Sequence, residues 1–368
     1  MKKLVKIKNI ASYSKGSQIN GDELMENAEY DYLNGGIKPS GRWNETNCEA
    51  NTVTISEGGN SCGYVNYMSK PFWCGAHCYY LFETVKNTRY LYYALKSQQN
   101  RIMKLRSGAC MPNIKKVDLG NFEFIFDDDE SEQDKVTSIL SGIEKIITIS
   151  KREVQLLDDL VNARFVEVFG DPIKNPKGWK VAAIGEIVTE VRYGTSKPAI
   201  EKGKYPYLRM NNITSDGHLD LNDLKYIDIP DDEIEKCVVR KGDILFNRTN
   251  SIELVGKTAM YDLLEDMVIA GYIIRVRLND RLLPEVFSQY MNLKALKDIL
   301  RSMAKGAVNQ ANINAQELQS IRVYIPDMEL QKQFVKMKAQ VAKSKVAIQK
   351  SLEETQLLFD SLMQKYFG

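Results

Sequence analysis

The sequence predicts an α+β fold in which two similar mixed α/β domains are separated by an antiparallel two-helix coiled coil. The first observation is a repeat of long period, because residues 134–170 and 330–368 match at one constant offset. The second is an apolar stripe along each of these stretches, and the third is a set of strand-like segments before each. The matched pairs are Gln133 with Gln331, Val136 with Phe334, Ile139 with Met337, Ile143 with Val341, Leu160 with Leu358, and Phe169-Gly170 with Phe367-Gly368.

The apolar stripes advance in alternating steps of three and four residues, which is typical of a coiled-coil seam. A helix of about 35 residues is roughly 50 Å long at the α-helical rise. Because neither seam is stable in water, we expect the two to pair; the alternative is two unrelated helices, each packed on its own domain. The stripe residues are Val136, Leu140, Ile143, Ile147, Ser150, Val154, Leu157, Val161 and Val168, then Phe334, Met337, Val341, Ser344, Ile348, Leu352, Thr355, Phe359, Leu362 and Tyr366.

The segments before each helix follow the same order twice. A linker with two prolines and a glycine, residues 171–179, marks the strongest boundary. We therefore divide the chain into a first domain (1–129), a central helix (130–170), a second domain (171–327) and a C-terminal helix (328–368). Alternating and helical apolar spacings predict strands at 30–33 and 52–55, a strand pair at 72–82, a helix at 90–104 and a strand at 122–126. In the second domain they predict a strand at 269–276, a helix at 284–301 and a strand at 321–325.

Composition excludes several classes of protein. The chain has 368 residues, an apolar fraction of 43% and a formal charge of +2, so it fits two domains with cores and is not a polycation. We find neither a signal-peptide pattern nor a run of 18 apolar residues, and we expect a cytoplasmic protein.

Six cysteines without a framework spacing suit a reducing compartment. Cys62, Cys74, His77 and Cys78 raise the question of zinc. The surrounding segment is apolar, however, so we favour buried thiols, no metal site, and a His77 in the core or at a strand edge.

Two loops that follow strands, Ser56–Gly63 and Asn247–Lys257, are rich in side chains that pair with base edges and phosphates. Each alone is consistent with an ordinary polar turn, but their occurrence at equivalent places in both domains favours a function. Val255-Gly256-Lys257-Thr258 ends like a phosphate-binding loop, yet Ser251 occupies the position of its first glycine. With two histidines in the chain, a histidine general base is poorly supported.

These residues carry a resemblance to a known family. Lys241–Arg248 with Glu253–Lys257, Asn312-Ile313 and the Ile325-Pro326 to Gln331 start of the last helix resemble a target-recognition domain of type I restriction–modification specificity subunits. The first domain resembles another class of the same domain. Its matching segments are Leu33–Ile37, Ile55–Gly63 and Phe72–Cys78, and the resemblance extends over nearly the whole chain.

The resemblance implies a non-catalytic subunit of a methyltransferase and endonuclease complex. Each domain would read one half of a bipartite double-stranded DNA target, and the paired helices would set the spacing and dock two methyltransferase subunits. Those partners use S-adenosylmethionine, and restriction subunits, which use ATP and Mg, complete the complex. This chain itself is expected to hold no cofactor.

Candidate DNA contacts follow from residue type and position in these loops. We predict that replacing Arg248 with alanine weakens or abolishes recognition of one half-site only. The candidates of the first domain are Lys15, Ser17, Asn34, Arg42, Trp43, Glu57, Asn60, Ser61, Tyr64, Lys104 and Arg106. Those of the second domain are Arg192, Tyr193, Thr195, Lys197, Arg209, Asn211, Asn212, Asn247, Arg248, Thr249, Asn250, Ser251, Lys257, Lys305 and Gln310.

Three other interpretations stay open from the sequence. The chain is equally compatible with a specificity subunit of a modification-only or other type of restriction system. A scaffold whose repeated domains bind protein, and an enzyme with an unrecognised site, are the other two. A DNA affinity that falls steeply with salt distinguishes the first from the scaffold, because phosphate contacts release counterions.

Overall fold

The structure, a computed structural model, describes residues 2–108, 112–307 and 310–368. These form two compact units: unit 1 comprises the residues up to Arg152 together with Gln349–Gly368, and unit 2 comprises Glu153–Ile348. Each unit therefore contains one globular domain and part of both long helices. Within the described ranges, no helix has the length and apolar character needed to cross a membrane.

In the residues that the structure describes, unit 1 consists of three sheets and the helices that cover them. An antiparallel sheet has the order β2-β8-β5-β6, a second sheet β4-β3-β7 pairs β3 with β7 in parallel, and β1 pairs with β9. The strands are β1 Lys2–Lys6, β2 Ser12–Lys15, β3 Tyr30–Leu33, β4 Gly41–Trp43, β5 Thr52–Ser56, β6 Val65–Met68, β7 Phe72–Cys74, β8 Cys78–Phe82 and β9 Glu123–Asp127. The helices are α1 Thr88–Ser97, α2 Gln99–Met103, α3 Lys116–Gly120 and the long α4 Glu130–Phe169.

Unit 2 repeats this plan and adds to it. Its sheets have the orders β11-β19-β15-β17, β13-β12-β18-β14, β10-β22 and β16-β21-β20. The strands are β10 Lys180–Ala183, β11 Val188–Tyr193, β12 Tyr205–Leu208, β13 Lys225–Ile227, β14 Val238–Val239, β15 Ile244–Asn247, β16 Thr249–Asn250, β17 Thr258–Met260, β18 Met267–Ile269, β19 Ile273–Leu278, β20 Lys305–Ala307, β21 Gln310–Asn312 and β22 Arg322–Ile325. The helices are α5 Ile234–Cys237, α6 Pro284–Asn292, α7 Lys294–Met303, α8 Ala315–Ser320 and the long α9 Met328–Phe367.

The two domains share sheet orders as well as sequence. The order β11-β19-β15-β17 corresponds strand for strand to β2-β8-β5-β6, and the parallel pair β12–β18 corresponds to β3–β7. The sheet β16-β21-β20 of unit 2 corresponds to two antiparallel bridges in unit 1, which Asn113 forms with Gly58 and with Ser107. This correspondence confirms the predicted α+β class with two similar domains.

In unit 1, both long helices pack against the first domain. The Phe367 ring lies 5.1 Å from the Tyr90 ring, and the carbonyl of Phe367 accepts a hydrogen bond from Gln98 Nε2. Tyr93 contacts α9 through Phe359 and donates its hydroxyl proton to Glu144 of α4 at 2.8 Å. The end of α9 thus packs on the domain at the opposite end of the sequence. The alternative in which each long helix packs only on its own domain is wrong.

In unit 2, the contacts between α4 and α9 show that the helices are antiparallel. Phe334, near the start of α9, packs its ring 5.3 Å from Phe165 and 5.4 Å from Phe169, near the end of α4. Lys345, further along α9, pairs at 2.8 Å with Asp158, which lies earlier in α4. An aromatic cluster therefore anchors both helices to the core of the second domain.

Three details of the sequence prediction are corrected. The predicted strand 269–276 is two strands, because the chain turns at residues 270–272 between β18 and β19. The predicted helices 90–104 and 284–301 are each two helices, which break at Gln98 and at Leu293.

The thiols form part of the core. Cys48, Cys62, Cys74, Cys78 and Cys237 are free and buried, which confirms the buried-thiol interpretation for these five. Burial raises the pKa of the Cys62 thiol, so it is a poor nucleophile. Across the described ranges, no group of His, Cys, Asp and Glu is arranged to hold a metal ion. Cys110 lies outside them.

Candidate nucleic-acid interface

A small backbone network at the end of β15 defines the candidate site of unit 2. Asn247 closes the loop through its backbone, since its N–H donates to the Lys257 carbonyl at 2.8 Å and its carbonyl accepts from the Gly256 N–H at 2.8 Å. The next residue, Arg248, donates its N–H to the Tyr272 carbonyl at 2.9 Å and accepts one from the Ile313 N–H at 2.9 Å. Arg248 is therefore held at a point where three separate chain segments meet.

The same network is present at the end of β5 in unit 1. Ser56 N–H donates to the Tyr64 carbonyl at 2.9 Å. Glu57 donates its N–H to the His77 carbonyl at 2.8 Å, and its own carbonyl accepts from the Ile114 N–H at 2.9 Å. In backbone terms, Glu57 thus corresponds to Arg248 and His77 corresponds to Tyr272.

A glycine places the first strand of each sheet against this network. Gly16 N–H donates to the Cys78 carbonyl, and Gly194 N–H donates to the Ile273 carbonyl. A Cβ atom on Gly16 would lie 1.8 Å from the Cys74 carbonyl oxygen, and one on Gly194 would lie 2.1 Å from a backbone oxygen of β18. Only glycine can come this close to the neighbouring backbone, because any Cβ atom would overlap with it. Since both glycines make the same contacts, the residues that precede them, Lys15 and Tyr193, occupy corresponding places.

In unit 2 the loops enclose a cavity of about 460 Å³. The Arg248 guanidinium lies over the Tyr193 ring, 4.9 Å from its centre, in a cation–π contact. Arg209 donates from Nη2 to Asp223 at 2.8 Å. The Nε atoms of both arginines are buried and have no hydrogen-bond partner among the described residues. The lining includes the predicted residues Thr195, Lys197, Arg209, Asn211 and Arg248, together with Tyr207 and Tyr272.

Ion pairs orient the remaining charges around this cavity. Lys197 pairs with Glu233 at 2.9 Å, and this hydrogen bond lowers the pKa of the Glu233 carboxyl. Hydrogen bonds from Arg209, and then from Lys225, lower the pKa of Asp223. Arg192 of β11 forms an ion pair with Glu190, with 3.0 Å between Nε and Oε1. Basic groups in and around the cavity are thus held by acidic neighbours.

In unit 1 the corresponding place holds a charged cluster. Glu57 accepts from Lys15 Nζ at 2.7 Å, and its second oxygen lies 3.4 Å from His77 Nδ1. The Glu57 side chain is 11% exposed, whereas the side chains of Lys15 and His77 are 44% and 59% exposed. Asn34 joins the cluster, because its Oδ1 accepts from the His77 N–H at 3.1 Å. Ser17 is exposed nearby, where its carbonyl accepts from Trp73 Nε1.

Three predicted contacts of unit 2 are buried, and their placement corrects that part of the prediction. Asn212 and Asn247 are 2% and 0% exposed, and both side-chain amides bond to the backbone of their own loops. Lys257 donates to the Met210 carbonyl at 2.7 Å, and burial lowers the pKa of its ammonium group. The polar atoms of these residues form hydrogen bonds within the domain. Their role is therefore to hold the loops in shape.

Several predicted residues of the first domain contact other residues of that domain, whereas two are exposed. Ser61 donates to the Gly35 carbonyl at 2.6 Å, a bond similar to that from Lys257 to Met210, although Lys257 corresponds to Tyr64 in the backbone network. The Tyr64 ring lies beneath Lys96 Nζ at 3.7 Å. Trp43 packs edge-on against Trp73. Arg42 and Asn60 are exposed, Arg42 donating to the Glu29 carbonyl.

The remaining predicted residues are divided between two places. Thr249 hydrogen-bonds Asn312 at 3.0 Å across the β16–β21 pair, directly after Arg248. Asn250, Ser251 and Gln310 lie in or beside the same small sheet, and Lys305 of β20 pairs with Glu317 at 2.5 Å. Lys104 lies elsewhere, in a cleft with Asp118, Phe122 and Glu123. The charge of the exposed Arg106 only partly offsets the rise that burial and then Glu57 cause in the pKa of the Cys62 thiol.

Two residues of the site were missed by the sequence analysis. His77 was interpreted as a core or edge residue, but its side chain is exposed beside Glu57. Tyr272 was placed inside a predicted strand, yet it is exposed at the turn between β18 and β19. The signal was Gly271 within the strand pattern, since an isolated glycine there indicates a bulge or break.

Comparison with known proteins identifies the family. The sequence profile described as "Type I restriction modification DNA specificity domain" matches residues 2–158 and again 176–356. The chain belongs to this family. The match confirms the resemblance and shows that the chain carries two copies of the specificity domain.

Individual members of the specificity family are similar over large parts of the chain. A Mycoplasma genitalium protein described as a type I specificity subunit is 30% identical over 221 residues, 55% of this chain and 56% of the relative. The EcoKI specificity subunit of Escherichia coli K12 is 26% identical over 333 residues, 85% of this chain and 72% of the relative. The chain thus spans about half the length of the first relative. A crystal structure of an S subunit from M. genitalium has the same fold, with a TM-score of 0.66 at 22% identity, covering 100% of this chain and 96% of that one.

Proposed function

We propose that this chain is the DNA sequence-specificity subunit of a type I restriction–modification complex and is not itself catalytic. Each domain reads one half of a bipartite double-stranded target. The observation that supports this most strongly is the repeated backbone network, which presents Glu57 in unit 1 and Arg248 in unit 2 at equivalent places. A shared frame with different side chains is suited to two readers of two different sequences.

The long helices set the spacing between the two halves. α4 and α9 have 40 residues each, which corresponds to roughly 60 Å of helix. Each helix contributes residues to both units, and each unit holds segments of both helices in its core. A rigid helix is a suitable spacer because its length per residue does not vary.

The helices also provide docking surfaces for two methyltransferase subunits. In unit 1, Ile146 and Leu357 are large apolar residues exposed on the helices, and in unit 2 Leu160 and Val346 are exposed likewise. Exposed apolar side chains on a helix favour burial against a partner. S-adenosylmethionine is bound by those methyltransferase subunits, and ATP and Mg by restriction subunits. The buried free thiols suit the reducing cytoplasm.

The test is methylation by the complex reconstituted with its methyltransferase partner. Sequencing of methylated DNA should show a split motif with a fixed gap, and the affinity for that motif should fall steeply with salt. Arg248→Ala should remove base preference in one half while the other half is still read. Equal loss at both halves would contradict the two-reader proposal. Methylation by the isolated chain would contradict a non-catalytic subunit.

A further inference from the structure

Three residues occupy equivalent backbone positions in the two domains. The first residue directly precedes Gly16 or Gly194, and the second directly follows strand β5 or β15. The third directly precedes strand β8 or β19. In unit 1 these residues are Lys15, Glu57 and His77. In unit 2 they are Tyr193, Arg248 and Tyr272. We call each set the recognition trio of its domain.

The backbone of both trios is the same, but their chemistry differs. In unit 1 a nearly buried carboxylate contacts an ammonium group at 2.7 Å and an imidazole at 3.4 Å. In unit 2 a guanidinium lies over the Tyr193 ring at 4.9 Å and shares the wall of the cavity with Tyr272. The second and third residues of each trio are joined by a hydrogen bond between backbone atoms. Their side chains are therefore not required to hold the loops.

Exposure, hydrogen bonds and the cavity lining together indicate which members of each trio face a ligand. His77 and Lys15 are exposed, whereas Glu57 lies beneath them and accepts from Lys15 while its second oxygen contacts the imidazole. Tyr272 is 54% exposed, and Arg248 is half-buried and lines the cavity with it. Tyr193 is 43% exposed, but its hydroxyl accepts from the Ala315 N–H at 2.9 Å and its ring contacts the Arg248 guanidinium. The groups that we assign to a ligand are therefore Lys15 and His77 in unit 1, and Arg248 and Tyr272 in unit 2.

We propose that His77 and Tyr272 are specificity-determining residues that act with Lys15 and Arg248, and that Glu57 is a positioning residue. The proposal rests on the DNA-reading function argued above. The Arg248 guanidinium, with two parallel donors, matches guanine O6 and N7. In the tautomer whose Nδ1 donates to Glu57, His77 Nε2 is an acceptor. An acceptor beside the Lys15 donor matches adenine N6–H and N7.

The first test replaces each histidine of the chain in the reconstituted complex. His77→Ala should lower the affinity for the preferred target about tenfold and remove base preference at one position of one half-site. His218→Ala is the matched control, since its side chain is 57% exposed on another loop and should leave the motif unchanged. If both variants keep the full motif, the assignment of His77 is wrong.

The second test applies the same logic to unit 2. Tyr272→Ala should remove preference at one position of the other half-site, and Tyr226→Ala, also exposed but outside the trio, should not. Tyr272→Phe keeps the ring and separates stacking from hydrogen bonding. An unchanged motif with both Tyr272 variants would overturn the assignment.

Glu57 is tested by a double-mutant cycle. Glu57→Gln should affect the same base position as His77→Ala without changing the melting temperature, and the double variant should be no worse than the worse single one. Additive losses would show that the two act independently and that Glu57 does not position His77. If the unmodified complex has no bipartite motif at all, the proposed function fails. If it has one that these variants leave intact, only the present inference fails.

Discussion

Polar residues at the candidate sites have two distinct roles. The side chains of Asn247 and Lys257 donate hydrogen bonds to loop carbonyls. The Arg248 Nε, in contrast, is buried and has no hydrogen-bond partner in the described part of the chain. An unpaired buried donor is costly, so a ligand that accepts from it gains binding energy. Residue type alone does not separate the two roles, since both kinds occur in one short loop.

At the same scale, Lys297 of α7 makes the stability of unit 2 depend on pH. Burial, then the like charges of Arg301 and Lys257, lower the pKa of Lys297 to about 8, against about 10.4 in an unfolded chain. Between these values the unfolded chain holds a proton that the folded domain has lost. The free energy of unfolding should therefore rise as pH increases from about 8.

Urea unfolding at pH 8 and pH 9 measures this rise, in a window where unfolded tyrosines, whose pKa is about 10, stay largely protonated. Lys297→Met should reduce the rise by about 1 kcal/mol, since a full proton is worth about 1.4 kcal/mol per pH unit. Some rise should remain, because burial also lowers the pKa of Lys338 to about 8. Lys294→Met, exposed on the same helix, is the control. An identical rise in both variants would contradict the role of Lys297.

At the scale of elements, aromatic residues fasten the ends of the long helices. Phe334 of α9 is buried between Phe165 and Phe169 of α4 in the core of unit 2. Exposed apolar residues such as Leu160 lie on other faces of the same helices. Each long helix thus has one face buried in the fold and exposed apolar residues elsewhere, which we propose contact a partner.

Phe334→Ala should destabilise unit 2 by about 3 to 5 kcal/mol, because it leaves a cavity beside the rings of Phe165 and Phe169. Leu160→Ala should change stability by no more than about 0.5 kcal/mol, since its side chain is half exposed, but it should weaken methyltransferase binding. Chemical denaturation and a pull-down with the methyltransferase subunit separate these effects. Equal destabilisation by both changes would contradict the assignment of the two faces.

At the scale of the whole molecule, the last residues of the chain complete the first domain. Gln349–Gly368 belong to unit 1, where Phe367 contacts Tyr90 and Met363 lies in the same core. The two ends of the sequence are therefore folded together in one unit.

Removal of residues 349–368 should therefore destabilise unit 1 selectively. Hydrogen exchange followed by mass spectrometry should show lost protection in residues 2–108, with protection retained in the domain of unit 2. Leu357→Ala, an exposed change within the same segment, should leave both patterns intact. Loss of protection confined to unit 2 would contradict this organisation.

The sequence by itself determined the α+β class, the duplication, the two long helices and the family, because each of these depends on local periodicity or on a motif contiguous in the chain. It also indicated the loops 56–63 and 247–257, whose composition is local. It did not separate Asn212 and Asn247, which are buried, from Arg248, nor did it bring His77 beside Glu57. The tertiary structure decided these points, because burial and side-chain contact depend on segments far apart in the sequence, and no local pattern records which of them meet.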